Sequence, residues 1–277
     1  MFSNSINLRF NGRILNISND GRILPPYGII LANSDFIILK GKLDKKDIHY
    51  TISNIQISID DLKLDLGGAR IKYYSKICKS NQVNREVSRH TIKSLMDRVK
   101  DTGKKNGFGI DNQSILNIQM KTGNCIIKNL GEVWGSEFIE KLDLLAKFFI
   151  HGEDSEILKY FIGRGKGLTP SGDDFLVGML SVFSSRGIFR DSALVVKNFL
   201  TQNEGKYTND ISQQFLILAT EEKFSMNIIF LVDSLNRGVL NEETINNVLN
   251  FGETSGVDII LGMIFAYKII DRSSTNE

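Results

Sequence analysis

Cysteine and histidine are almost absent from this chain. Its 277 residues include two cysteines, Cys78 and Cys125, and three histidines, His49, His90 and His151. The cysteines lie far apart and outside any Cys-x-x-Cys spacing, which excludes a disulfide framework and a Cys/His metal cluster. An excess of one charge is lacking too: 34 Lys and Arg face 32 Asp and Glu, a net charge of +2. Nucleic-acid binders usually carry a clear basic excess, so no nucleic-acid partner is expected. The longest apolar run, residues 259–267, is about half a membrane span and contains Gly262. The stretch from Met1 to Asn7 has neither the basic start nor the apolar core of a signal peptide. These absences lead to the expectation of a soluble, reduced, cytoplasmic protein with no membrane partner. The length gives a soft prior of about two domains, and a chain of this size needs no covalent staples.

What is present divides the chain in two. Up to about residue 130 the apolar spacing has period two, with turn signals between short β-branched runs. Arg13 to Ile17, Gly28 to Leu31 and Phe36 to Leu39 read as strands, and Leu62 to Leu66 alternates strictly before Gly67 and Gly68. Ile115 to Met120 and Asn124 to Ile127 read as a hairpin about Lys121-Thr122-Gly123. One helix interrupts this region, capped by Asn84, with Val87, Ile92, Leu95, Met96 and Val99 on one face and Gly103 at its end. Its other face, Arg85, Arg89, Lys93, Arg98 and Lys100, reads as a solvated surface rather than a binding patch. The loop from Gly103 to Gly109 holds glycines and lysines that could touch an anion, but no helix start is legible after it. After Trp134 the period becomes 3.6. Phe138, Ile139, Leu142, Leu145 and Phe149 share a face, and helices follow near 155–161, 174–185, 191–202, 209–221, 225–236, 242–250 and 257–270. Ser155, Asp191 and Asn241 are candidate caps. The expected fold is α+β: a β-rich domain over 1–132, then an all-helical domain over 133–277, joined around 131–135.

The most informative segment runs from Gly163 to Asp174. Gly163, Gly165, Gly167 and Gly172 fall within ten residues, and an apolar helical run follows at once. Glycines let backbone N–H groups approach a ligand, and a helix start adds unpaired donors and the positive end of a dipole. Arg164 and Lys166 add charge, so a phosphate-like or carboxylate ligand is expected. The Walker A pattern is absent, and Leu168 or Pro170 stands where the dinucleotide fingerprint needs its third glycine. Asp174, three residues after Ser171, fits a capping box, with a direct ligand role as the alternative. Asp173 has no capping duty and is the stronger candidate for contact with substrate or magnesium.

Ser171-Gly-Asp-Asp174 and Gly178-Met179 recur 84 residues later as Ser255-Gly-Val-Asp258 and Gly262-Met263. A glycine inside each helix costs about 1 kcal/mol against alanine, so close helix packing is expected to offset it. Two readings follow. The pair is either a duplicated helix start with packing glycines, or two helix N-termini converging on one ligand, with Glu253 and Thr254 facing the same pocket. The histidines add little: His90 lies in the basic helix, His151 ends a helix near the glycine loop, and His49 lies in an expected strand.

At these residues the sequence resembles the bacterial AllH-type family, a subunit assigned to oxamate carbamoyltransferase. The hallmark is the run from Gly163 to Asp174; Leu64 to Ala69, Thr208 to Ala219 with Ser212 inside it, and Gly252 to Asp258 fit the same pattern. Arg164 and Lys166 stand where uncharged residues are common, and Glu253 where histidine is usual. The resemblance implies conversion of oxalurate and phosphate to oxamate and carbamoyl phosphate, in anaerobic allantoin breakdown. It also implies one of three subunits, another of which resembles acyl-CoA synthetases.

Carbamoyl transfer of this kind needs a positioned phosphate and fixed donors for a developing oxyanion. The expected binding residues are Gly163, Arg164, Gly165, Lys166, Gly167, Thr169, Ser171 and Gly172 with Glu253, Thr254, Ser255 and Gly256. Asp173, Asp174 and Asp258 are the catalytic candidates, and Asp173 or Asp258 could hold Mg²⁺, the one cofactor to consider. The alternatives are a non-catalytic ligand-binding or scaffolding subunit of a synthetase-like complex, or a stand-alone enzyme acting on another small carboxylate.

Overall fold

Alternating apolar residues build the first of two compact units, Met1–Ser75 and Lys76–Glu277. The computed structural model describes residues 4–10, 12–21, 24–43, 50–53, 56–59, 61–70, 74–79, 85–121, 124–127 and 136–273. In the first unit β1 (Ser5–Phe10) pairs antiparallel with β2 (Arg13–Ser18), and β2 pairs parallel with β3 (Gly28–Ile30). After α1 (Asn33–Leu43), strands β4 (Tyr50–Ile52), β5 (Gln56–Ile59) and β6 (Leu62–Asp65) form an antiparallel meander. Ile6, Leu8, Ile17, Ile57 and Ile59 point inward from these strands to share a core with Phe36, Leu39 and Leu43.

Phe36 to Leu39 is therefore a helix and not the strand that its β-branched content predicts. Phe36, Leu39 and Leu43 recur at helical spacing and are buried, while Ile37 and Ile38 between them are 60% and 52% exposed. Residues that alternated across a strand could not separate in this way.

In the second unit a hydrophobic core collects α2 (Arg85–Asp101), α3 (Asn112–Leu116) and α4 (Ser136–His151), together with the helices that follow. The hairpin β7 (Ile118–Lys121) and β8 (Asn124–Ile127) lies between α3 and α4. Ile92, Leu95, Val99, Ile115, Leu116 and Ile118 share this core with Phe138, Leu142 and Leu145. The division at Ser75/Lys76 thus differs from the expected one at 132/133, because period-two spacing marks the hairpin as β but cannot say which core it joins. Asn84, the turn residues Thr122 and Gly123, and the expected linker at 131–135 with Trp134 lie outside the described residues, as does His49. His90 and His151 are exposed.

The stretch from Ile115 divides between α3 and β7. Asp111 caps α3 by accepting the Ser114 N–H at 3.0 Å, so a helix start does follow the 103–109 loop. The basic face of α2 is not merely solvated: Arg89 bonds Asp271 at 2.7 Å and Arg98 bonds Glu242 at 2.5 Å.

The remaining elements are a 3-10 turn over Ser155–Ile157, α5 (Leu158–Phe161), α6 (Ser171–Arg186), α7 (Arg190–Gln202), α8 (Asp210–Thr220), α9 (Met226–Arg237), α10 (Glu242–Leu249) and α11 (Ser255–Ser273). Asn241 caps α10 as expected. Asp154, not Ser155, caps the 3-10 turn, and Phe189 precedes α7 with no side-chain cap, leaving Asp191 in its first turn.

Helix α6 is buried on every face from Ser171 to Phe183 and forms the axis of the unit. It crosses α11 with backbone against backbone. A carbon added to Gly178 would lie 2.0 Å from the Ile259 carbonyl, and one added to Gly262 would lie 2.0 Å from the Phe175 carbonyl. Ile259 and Phe175 are themselves equivalent under the 84-residue repeat, so the contact is reciprocal, as a local two-fold requires. Gly178→Ala and Gly262→Ala should each destabilise the fold by about 1–3 kcal/mol or more in urea unfolding, because the obstructing atoms are backbone. Wild-type stability in both variants would mean that the helices do not meet at these glycines.

Candidate functional site

The crossing brings the two helix starts side by side. Thr169 Oγ1, in the loop before α6, lies 2.9 Å from Ser255 Oγ at the start of α11. Around this contact are three carboxylates: Asp258 is 0%, Asp173 1% and Asp174 4% exposed, so none is hydrated in the ordinary way. Their partners are therefore decisive.

The expected capping box does not form. Pro170 occupies the N-cap position of α6, with no side-chain cap bond. Ser171 and Asp174 turn instead to the other helix: the hydroxyls of Ser255 and Thr169 stabilise the Asp174 carboxylate, and Ser171 Oγ approaches Asp258 without completing a hydrogen bond of its own. Serine of each copy thus faces aspartate of the other. The Asp174 Oδ2 oxygen is buried with no partner among the described residues.

Asp173 behaves differently. Its Oδ1 accepts the Gly163 N–H at 2.8 Å, and its Oδ2 accepts hydroxyl bonds from Thr208 and, at 2.6 Å, from Ser212 of α8. Both oxygens are engaged by protein donors, so Asp173 ties the glycine loop and α8 to the start of α6. The residue favoured from sequence for substrate contact is the best satisfied of the three. Magnesium fits poorly here for the same reason, and among the described residues no group of three His, Cys, Asp or Glu could hold a metal ion.

Asp258 is held by the Gly107 N–H, at 3.1 Å to Oδ1 and 3.3 Å to Oδ2, and by Thr254. Gly107 belongs to the 103–109 loop, and the anion that it touches is the protein's own. Lys104 of that loop bonds the Leu249 carbonyl at 2.7 Å, securing the loop to the C-terminal end of α10. Sequence reasoning flagged this loop but missed its role, as it missed those of Thr208 and Ser212. The surplus of glycine was the available signal.

Burial sets the acidities. It pushes the Asp258 carboxyl up to about 6, against the Gly107 N–H and the Ser171 and Thr254 hydroxyls that favour the ionised form. Asp174 is driven well above the usual carboxylate range, first by burial and then by repulsion from Asp258 and Asp173, although Ser255 and Thr169 oppose this. Asp173 is raised by burial, against Ser212, Thr208 and Gly163.

Above the acids lies the exposed layer. Gly165, Lys166 and Gly167 are exposed, as are Gly252 and Glu253, while Gly163, Arg164, Thr169 and Thr254 are half-buried. Gly163 and Gly165 hold φ of 80° and 111°, which a side chain would strain. The backbone N–H groups of residues 165–168 make no hydrogen bond with the described residues. Arg164 stacks its guanidinium 4.1 Å from the Tyr160 ring centre. Gly172 and Gly256 sit so close to the preceding elements that an added carbon would meet the Phe161 carbonyl at 1.9 Å and the Val248 carbonyl at 2.1 Å.

The fold and site together define an α+β protein whose helical unit joins two glycine-led helix starts over a buried carboxylate cluster. Residues 161–267, which hold both starts, match the family model described as oxamate carbamoyltransferase subunit AllH. No solved structure matches the chain. No described helix is long and apolar enough to cross a membrane.

The weakened acidity of Asp258 has a measurable consequence. Its charged form is disfavoured in the fold, so stability falls as pH rises from the ordinary 3.8 through about 6. Asp258→Asn removes that penalty, and the variant should gain about 2 kcal/mol relative to wild type between about pH 4.5 and pH 8. A difference in urea midpoint that does not change with pH would show that Asp258 titrates normally.

Proposed function

We propose that this chain is a carbamoyltransferase subunit that converts oxalurate and phosphate into oxamate and carbamoyl phosphate. It would act in the cytoplasm with other subunits of the complex. The observation that carries the reading is the 2.9 Å contact between Thr169 and Ser255, which joins two helix N-termini over buried carboxyls whose pKa values are raised by burial. Two dipole ends and the open amides of residues 165–168 favour an anion at the exposed layer, and Lys166 adds a charge there. Arg164, laid on Tyr160, is placed to turn toward the same anion.

In this reading the phosphate rests on the loop amides and attacks the carbamoyl carbon of oxalurate. The C–O bond to phosphate forms as the C–N bond to oxamate breaks. The proton that hydrogen phosphate gives up must reach the departing nitrogen. Asp174 and Asp258 are suited to pass it, since burial raises both carboxyls above the usual range and repulsion from Asp258 and Asp173 raises Asp174 further. The Thr169 and Ser255 hydroxyls connect the buried Asp174 to the half-buried loop. Asp173, Thr208 and Ser212 position the loop and stay out of the proton path.

With the partner subunits present, Asp174→Asn should lower carbamoyl phosphate formation from oxalurate by about 100-fold, the usual scale for a lost proton-transfer group. Lys166→Ala should raise the KM for phosphate by about tenfold with a smaller effect on kcat. An unchanged rate in Asp174→Asn, with oxalurate still bound, would favour a ligand-binding subunit without catalytic duty.

A further inference from the structure

A cavity of about 450 Å³ lies between the C-terminal ends of α6 and α8 and the first turns of α7. Its volume falls in the range of small-molecule sites, about 300–1,000 Å³. Leu180, Phe183, Ile188 and Leu194 give it an apolar floor and wall. Lys76, Lys79, Arg190 and Lys197 stand around it against Glu221 and Glu222, four cations to two carboxylates.

The charges are arranged about one point. Glu222 has Lys79 at 3.4 Å, Lys76 at 3.7 Å and Arg190 at 4.0 Å, so one carboxylate draws three cations loosely. Glu221 is paired more tightly, with Lys197 at 2.8 Å and Lys223 at 2.9 Å. Glu222 also sits at φ 63°, the left-handed position after a helix that glycine usually fills. The Lys76–Lys79 segment is fixed to it, since the Ile77 N–H donates to the Glu222 carbonyl at 2.9 Å. Helix α7 begins beside the cavity with no side-chain cap, which leaves first-turn donors and a positive dipole end there.

We propose that this cavity is a second ligand site, which takes a small organic phosphate ester with an apolar or aromatic body. The phosphate dianion matches the surplus of two positive charges and the ring of three cations, and the body covers Ile188, Ala193 and the exposed Leu194 above the buried Leu180 and Phe183. The site stands apart from the glycine loop in sequence but is built on the same two helices. The N-terminal end of α6 carries Asp173, and that of α8 carries Ser212. Neither the loop amides nor the acid cluster takes part in it.

Calorimetric titration of the full chain with phenyl phosphate, inorganic phosphate and benzyl alcohol tests the assignment. Phenyl phosphate should bind about tenfold or more tighter than either of the others, because only it uses both the cations and the apolar floor. Lys79→Ala and Arg190→Ala, exposed positions that should not disturb folding, should each weaken it by about fivefold or more, and Lys166→Ala should not. Equal affinity for phenyl phosphate and inorganic phosphate would overturn the proposal. So would binding that survives Lys79→Ala and Arg190→Ala but is lost in Lys166→Ala, which would place the ligand at the glycine loop.

Discussion

The reciprocal crossing of α6 and α11 is the contact on which the rest of the helical unit depends. Two glycines allow the backbones to touch, with each carbonyl resting where a side chain would otherwise stand. Since the glycines each lie seven residues, about two turns, inside their helices, the crossing sets the two N-termini at the same level. Ser255 then reaches Thr169 and Asp174, and Ser171 approaches Asp258. A wider separation of the axes would leave each helix to cap itself, and the carboxylates would return to water. The helix propensity lost at Gly178 and Gly262 is thus offset by close packing that no larger residue permits.

Burying three aspartates within reach of one another is costly, and the structure meets that cost unequally. Asp173 receives three donors and Asp258 receives a glycine amide, while Asp174 keeps one oxygen unpartnered. This gradient separates roles that the sequence leaves alike. Asp173 is a strut between the loop, α6 and α8. Asp174 and Asp258 face each other's helix, where burial raises both carboxyls above the usual range and repulsion raises Asp174 further. Groups poised in this way are common where proton transfer is required, and that supports the carbamoyl-transfer reading at the residues that match the family.

The two proposed sites share their supports. Helices α6 and α8 begin at the acid cluster and end at the cation-lined cavity, so each site is braced by opposite ends of the same rods. Phe183 illustrates the economy of this arrangement: it lines the cavity and also meets Phe149 at a tilt and Phe189 edge-on in the core.

Much of the fold was legible in order. The 3.6-residue period marked α4 and α6 to α11 to within a few residues, because a helix that must bury one face writes that period into its own sequence. The repeated Ser-Gly-x-Asp and the glycine four residues after each aspartate marked the two helix starts and their packing glycines. Local chemistry could not show that Asp173 would be consumed by Thr208 and Ser212, since those hydroxyls arrive from 35 and 39 residues away. Nor could it show that Gly107 would serve Asp258 across 151 residues. Phe36 to Leu39 was misread because β-branched content states a preference, and the core against which a segment packs overrides it; the β7–β8 hairpin was read as a hairpin, but its spacing does not say which core it joins. The sequence by itself determined the helices of the C-terminal half, the two Ser-Gly-x-Asp helix starts and which residues are chemically capable. Only the tertiary structure decided which carboxylate stays unpartnered, because hydrogen-bond partners are set by what the packed helices bring into contact.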